Sequence, residues 1–413
     1  MRKIIFDATV LVDGDDLKEE RRGIYFVAKN LLLEMCRQNK SEILLYASTY
    51  KEAGLQEVVS ELEINAKPYK KASALSARLH SVVVHCRKKR LEKGCGCIKR
   101  ILFSALIVFS SVVSALLYSI INFNCRFDKD IVFFSPRTSA PWFINRQKQL
   151  KKYIFLHDLI PVLFKDHEMM SWGWFAYLLR TLNGKDVYFA NSENTKRDFC
   201  GYSKKIKASQ VKVAYCASDE LYRRHSALEE RKSLNEKYGI PSSKKFVFSI
   251  GAQDKRKNSD RIIRCFIAFK EKNKIDDLIL IVAGGSINRD DGVVLYRSYV
   301  DDKDLPLFYS FALWFVFTSQ YEGFGLPPLD AMQCGCPVIA SNNSSIPEVV
   351  GGAGLLIDWD SDKQHVEAFE KYYFDDALRK ETSCKGLERA KFFSWRKTTK
   401  EILSTMNESN EIC

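Results

Sequence analysis

The 413-residue chain contains neither the phosphate-loop sequence G-x-x-x-x-G-K-[ST] nor a complete G-x-G-x-x-G. The usual sequence grounds for an ATPase or a nicotinamide dehydrogenase are therefore missing. It also lacks C-x-x-C: its twelve cysteines are scattered, and the close pairs Cys95/Cys97 and Cys334/Cys336 are spaced C-x-C. A structural zinc site is not expected, and no metal is called for. No low-complexity tract and no repeat of solenoid period is present. The opening MRKIIFDATV places Asp7 inside its first apolar run and has no small-residue cleavage site, so it reads as a β-strand and not as a secretory leader. Without an export signal the cysteines are expected to be free, mostly buried thiols in a reducing compartment.

What is present is enough for real cores: the length predicts two or three domains, and 46% of the residues are hydrophobic. The formal charge of +13 attracts polyanions without choosing among them. Its distribution is more telling, because Arg87, Lys88, Lys89, Arg90, Lys93, Lys99 and Arg100 precede an uncharged segment from Ile101 to Cys125. That segment is long enough, at about 1.5 Å per residue, to cross a bilayer core of about 30 Å. A single crossing would put the strands before and after it on opposite sides of a membrane, and one sheet cannot be assembled that way. Wound as a helix, Ser104, Ser110, Ser111, Ser114, Ser119 and Asn122 share about half the circumference. We expect a helix lying against an anionic membrane surface, with the basic stretch as its electrostatic partner; a buried core helix is the other reading. Nucleic-acid binding would rest on net charge alone, with no aromatic-interleaved basic motif.

Short runs rich in Val, Ile, Phe and Tyr alternate with helix-like stretches, the pattern of parallel sheets covered on both faces. IIFDATV, EILLYAS, DIVFFSP, YIFLHD, DVYFANS and VKVAY form a first series. After a charged, helix-compatible connector, roughly Ser218 to Pro241, KKFVFSIGA, LILIVAGG, WFVFTS, PVIAS and GLLID form a second. Two doubly wound α/β domains in tandem are predicted, residues 1–219 and 220–413. The insert near 85–125 belongs to the first and a helical tail to the second. Ligands of such folds bind at the carboxyl ends of strands, so two facing domains make one cleft.

Candidate chemistry gathers at those strand ends. In YEGFGLPPLDAMQCGCPVIAS, Gly323 and Gly325 lie between a strand and a helix opened by Pro327 and Pro328, aiming free amides at an anion. Glu322 and Asp330 flank that loop with seven residues between them, and either could accept hydrogen bonds from sugar hydroxyls. The bland alternative is a helix-capping loop with solvated carboxylates. SIGAQDKRKN ends a strand at Gly251 and then presents Arg256 and Lys257, a fork and a point charge suited to a diphosphate or simply to a solvated turn. YIFLHDLIP places His157 and Asp158 at another strand end. The imidazole could bond a hydroxyl, with Asp158 orienting it or meeting an acceptor hydroxyl; a structural histidine is the alternative. Gly23, in RRGIYFVAKNLL, opens a helix and would admit a phosphate, or is a plain loop glycine.

In this order and spacing the motifs resemble the glycosyl transferases group 1 family. They run from RRGIYFVAKNLL, HDLIP and NSENTKRD through RKN and YVDDKDLPLFYSFA to EGFGLPPLDAMQCGCPVIASNNSSIPEVVGGAGLLID. The resemblance implies the two-Rossmann (GT-B) architecture and a retaining enzyme that uses a nucleotide-diphosphate-sugar. It implies that Arg256 and Lys257 neutralise the donor diphosphate, in place of a divalent metal or other cofactor. Glu322, with the backbone at Phe324, Gly325 and Leu326, would hold the sugar, and Asp330 the ribose. His157 and Asp158 would serve the catalytic side, and Gly23 and Gly251 the substrate. Two departures stand out: Asp330 replaces the family's usual Glu, and Tyr25 replaces a small residue near Gly23. Tyr69 to Arg126 matches nothing specific. The expected activity is hexosyl transfer to a glycan or lipid-linked acceptor in bacterial surface polysaccharide synthesis, lipopolysaccharide O-antigen or capsule. Its expected location is the inner face of the plasma membrane, peripherally bound. A sugar-nucleotide epimerase or hydrolase of the same fold and a non-catalytic nucleotide-sugar-binding protein are the alternatives.

Overall fold

The computed structural model describes residues 2–12, 23–39, 41–47, 54–69, 130–164, 179–284 and 288–408, with scattered positions between 82 and 113. Two seven-stranded sheets form the two lobes. The first uses β1 (Lys3–Asp7), β2 (Ile43–Tyr46), β3 (Lys67–Pro68), β4 (Ile131–Ser135), β5 (Lys151–Leu156), β6 (Val187–Ala190) and β7 (Val211–Val213). Their order is β3-β2-β1-β4-β5-β6-β7, all parallel.

The second uses β8 (Lys245–Ile250), β9 (Leu278–Ala283), β10 (Arg289–Asp290), β11 (Val294–Arg297), β12 (Phe315–Phe317), β13 (Val338–Ser341) and β14 (Leu355–Ile357). Their order is β10-β11-β9-β8-β12-β13-β14, parallel except for the β10–β11 edge pair. Without β10, this order repeats that of the first sheet without its edge strand β7. Both lobes are doubly wound, as the alternation of apolar runs requires.

Interior strands carry unbroken apolar sequence because helices cover both faces: Leu278–Ala283, LILIVA, is buried throughout. In each lobe the strand order reverses beside the first strand, between β1 and β4 and between β8 and β12. Those switch points open a crevice at the carboxyl ends of the strands. The loops after β8 and β12 carry Arg256, Lys257 and Glu322, so the topology alone brings them to one place.

Six helices matter here: α1 (Gly23–Gln38), α2 (Glu193–Tyr202), α3 (Ser259–Asn273), α4 (Leu326–Gln333), α5 (Ile346–Val350) and α6 (Trp395–Glu408). The tail helix α6, grouped by sequence with residues 220–413, crosses back onto the first lobe. Gln38 Nε2 donates to Arg396 O at 3.0 Å, and Thr398 Oγ1 to Tyr215 O at 2.6 Å. Lys212 Nζ donates to Thr405 Oγ1 at 3.0 Å. Buried Trp395, Ile402 and Met406 give α6 one apolar stripe, which α1 helps to cover.

Most of the basic stretch and of the segment from Ile101 to Cys125 lies outside the described residues. Within the described part, residues 101–106 are helical. Ile101, Leu102, Leu106 and Phe109 are exposed, whereas Ser110 is buried. Among the described residues no helix is long and apolar enough to cross a membrane. The eight described cysteines are free thiols.

Candidate functional site

The loop after β8 turns at Gly251, whose φ of 97° favours glycine. A Cβ there would sit 2.8 Å from Lys257 Cγ, so the lysine stem runs across the open side of Gly251. A short 3₁₀ turn, Lys255–Lys257, follows, capped by Asp254, whose Oδ1 accepts from Arg256 N at 3.0 Å. Both cations then fold inward. Lys257 Nζ reaches Glu322 Oε1 at 2.6 Å and Arg256 Nη1 reaches the same oxygen at 2.7 Å. Arg256 also donates through Nη2 to Asp254 Oδ2 at 2.7 Å and through Nη1 to the Tyr321 carbonyl. The Lys257 ammonium lies 4.5 Å from the centre of the Phe317 ring at the end of β12.

These groups form a largely buried cluster of two cations and two anions. Burial works against the charge of Glu322, but the attraction of Lys257 and then Arg256 outweighs it and holds the carboxyl below the usual carboxylate range. A cation pair at this switch point, beside the start of α4, meets the electrostatic needs of a diphosphate. The sequence placed Arg256 and Lys257 at the strand end; what it did not reveal is that Glu322 joins them.

The glycine loop is held from behind. Ser344 Oγ accepts from Glu322 N at 3.0 Å, and Ser345 Oγ lies 2.9 Å from Glu322 O and 2.8 Å from Phe324 O. Phe324 is buried against Tyr215 and Phe393, with ring centres at 6.3 and 5.6 Å. Gly325 is the N-cap of α4, Leu326 its first residue, and two prolines follow in the first turn.

Asp330, one turn into α4, is buried, and its Oδ1 accepts from Ser218 Oγ at 2.5 Å. Burial raises its carboxyl to about 8; the Ser218 bond opposes the shift and the negative charge of Asp219 adds to it. Burial thus favours the protonated form of Asp330, in which one carboxyl oxygen can donate while the other accepts. Ser218 lies in the connector between the sheets and carries no sequence signal.

The first lobe meets this loop at Gly323. A Cβ on Gly323 would strike the His157 carbonyl oxygen and lie 2.8 Å from Asp158 Cβ, so the backbones touch. His157 is buried, and its Nε2 lies 2.6 Å from Pro136 O. Burial lowers this imidazole to about 4, opposed by the Pro136 bond and helped by Arg137, so the ring is neutral. With Nε2–H given to Pro136, Nδ1 is the acceptor nitrogen. Pro136 therefore orients the ring, the part the sequence offered to Asp158. Asp158 Oδ1 instead accepts from Ile160 N at 2.9 Å.

Gly23 begins α1, is exposed, and has nothing within 4 Å of a notional Cβ. Residues 13–22, which would complete a loop there, lie outside the described residues.

Missed by sequence reasoning was the contact network between lobes. Ser192 Oγ donates to Gly323 O at 2.8 Å, Thr195 Oγ1 lies 3.0 Å from the same oxygen, and Tyr321 OH donates to Asp198 Oδ2 at 2.6 Å. The NSENTKRD motif held these residues without showing what they touch.

Residues 230–389 match the family described as glycosyl transferases group 1. The chain is 24% identical over 310 residues to the serotype-specific mannosyltransferase WbdA of Escherichia coli, a stretch covering 71% of this chain and 36% of that protein. It is 44% identical over 118 residues to the O-antigen chain mannosyltransferase B of Escherichia coli, covering 28% of this chain and 30% of that protein. The chain thus spans about a third of the length of these curated relatives. In fold it is similar to Anabaena Alr3699/HepE, solved in complex with UDP and glucose, with a TM-score of 0.67 and 14% identity over 99% of this chain and 100% of that one. The architecture is GT-B, two Rossmann-like domains facing a cleft.

Proposed function

From the match of residues 230–389 to the glycosyl transferases group 1 family, we propose that the chain is a retaining glycosyltransferase. It moves a hexose from a nucleotide-diphosphate-sugar to a glycan or lipid-linked acceptor in bacterial surface polysaccharide synthesis. The names of the O-antigen mannosyltransferases it resembles support that pathway, and the UDP complex of a protein with the same fold supports the donor class. The observation that carries the reading is the convergence of Lys257 and Arg256 on one Glu322 oxygen at the switch point, with His157 resting on the adjoining loop.

In the reaction, the bond between the anomeric carbon and the diphosphate oxygen breaks, and a bond to an acceptor hydroxyl oxygen forms on the same face. The acceptor proton passes to the departing diphosphate. Negative charge grows on that leaving group, so positioned cations stabilise the transition state more than the ground state. Arg256 and Lys257 supply them. Once they turn to the diphosphate, Glu322 is released to accept from a sugar hydroxyl. His157 Nδ1 accepts from another hydroxyl, and protonated Asp330 donates to a ribose oxygen. No resident metal and no covalent nucleophile enter this scheme. Arg87 to Arg100, with the exposed Ile101, Leu102, Leu106 and Phe109, would hold the enzyme on the anionic inner face of the membrane.

A thermal-shift screen of UDP-, GDP- and dTDP-sugars, followed by product analysis with the stabilising donor, tests the reading. Binding to the folded state alone raises stability by about 2.7 kcal/mol at a hundred times Kd. Transfer without net inversion is the expected outcome. Stabilisation by no donor, or release of free nucleotide with no transferred sugar, would refute it.

A further inference from the structure

Glu348 lies outside the donor cluster, yet it is the residue through which the second lobe completes a helix of the first. Its two carboxylate oxygens accept from the backbone amides of Glu193 and Asn194, each at 2.7 Å. These are the first two amides of α2, which have no partner within their own helix. Ser192 Oγ accepts from the third, Thr195 N, at 3.0 Å. The ten-residue helix is therefore capped by two lobes at once. A carboxylate in that position gains from charge-assisted bonds and from the positive end of the helix.

The backbone that carries Glu348 is anchored. Arg389 Nε donates to Val349 O at 3.1 Å and Arg389 Nη2 to Glu348 O at 2.5 Å. Two residues before α5 begins, Ser344 holds the Glu322 amide, and Ser345 holds the Glu322 and Phe324 carbonyls. On the far side, Thr195 Oγ1 stands 3.2 Å from His157 O and 3.0 Å from Gly323 O. A short path of hydrogen bonds thus runs from the donor loop through Ser345 and Glu348 to residues 193–195, and from there to His157.

We infer that Glu348 is a positioning residue, an interlobe clasp that fixes the start of α2 and through Thr195 sets where His157 stands above the donor loop. The role in transfer rests on the proposed function; the clasp itself does not. Donor affinity resides mainly in Arg256, Lys257 and Glu322, which pair with one another, whereas the Glu348 carboxylate turns to the amides of Glu193 and Asn194. Loss of the clasp therefore acts on the chemical step and spares donor binding.

The test uses Glu348→Ala and the isosteric Glu348→Gln in the full chain. Site-resolved amide exchange at residues 193 and 194 should accelerate at least about tenfold. Donor affinity should stay within about threefold of the parent, while kcat for transfer falls at least about tenfold. Should Glu348→Ala fail to fold, Glu348→Gln is judged by the same readings. Parental exchange at both amides, or a loss of transfer that merely follows weaker donor binding, overturns the inference. A parent chain that transfers no sugar would refute the proposed function instead, and amide exchange would still decide the clasp by itself.

Discussion

Lys257 Nζ stands 2.6 Å from Glu322 Oε1, across 65 residues of sequence, in a site where both side chains are largely withdrawn from solvent. Arg256 shares the same oxygen, and Asp254 balances the second cation. Cations buried this way are costly to leave unpaired. The cluster keeps two positive groups in place through Glu322; under the proposed function a diphosphate would take over that charge. Preorganisation of this kind is where electrostatic catalysis gains most.

Replacing Lys257 or Arg256 by alanine should therefore lower turnover by at least about 100-fold, since one lost electrostatic donor costs about 3 kcal/mol in the transition state. Steady-state transfer assays with saturating donor check this. Glu322→Gln should behave differently. It leaves one positive charge in excess, so the free nucleoside diphosphate should bind more tightly than to the parent while transfer falls. Calorimetry with the diphosphate alone separates the two classes of variant, and near-parental turnover in either alanine variant would remove the diphosphate assignment.

The pH dependence of stability should carry two opposed signatures. Asp330 is raised by burial to about 8 in the folded chain. The folded state therefore holds a proton that the unfolded state has released, and the stability it confers is present below about 4 and lost as pH climbs to about 8. His157 is lowered by burial to about 4, so the unfolded state holds the extra proton. Its contribution is present above about 6.5 and lost as pH falls towards 4. Melting curves from pH 5 to 8.5 should show Asp330→Asn declining less on the alkaline side than the parent. His157→Gln should decline less on the acid side. Profiles parallel to the parent would contradict both assignments.

Membrane contact makes a separate prediction. Flotation with anionic vesicles should weaken when Arg87, Lys88, Lys89, Arg90, Lys93, Lys99 and Arg100 are replaced by glutamine, because each cation near such a surface contributes about 1 kcal/mol. Raised salt should act in the same direction. Replacing Ile101, Leu102 and Phe109 by serine should weaken the residual, salt-insensitive part. Equal flotation of all variants would exclude this surface as the docking face.

Sequence alone showed the long parallel strands because burial on both faces imposes unbroken apolar runs such as LILIVA and IVFF. It did not show Lys67–Pro68, Arg289–Asp290 or Val294–Arg297, short strands at or near sheet edges, two of which are too brief for a period to register. Site residues were legible as types at strand ends, since the fold puts ligands there. Their partners were not. Glu322 finds Lys257, Asp330 finds Ser218 and Glu348 finds the start of α2 only after two domains have folded and met, at sequence separations of 65, 112 and 155 residues. Asp330 shows the consequence: its protonation depends on burial, a property its neighbours in sequence do not encode.

The contact between Gly323 and His157 allows the sharpest test of how closely the lobes must meet. A methyl group on Gly323 would press on the His157 carbonyl and on Asp158 Cβ at 2.8 Å, and the first of these is backbone that cannot swing aside. The loop cannot retreat easily either, for Ser345 holds Glu322 O and Phe324 O on either side of it. Relief must come from the lobes moving apart. Gly323→Ala should then leave the C-terminal lobe folded and able to bind the nucleoside diphosphate, while transfer falls by about 100-fold or more, as happens when reacting groups are misplaced by about 1 Å. Small-angle scattering should show a larger radius of gyration for the variant. Parental transfer with an unchanged radius would mean that the lobes work without touching at this glycine, and that the position of His157 is set elsewhere.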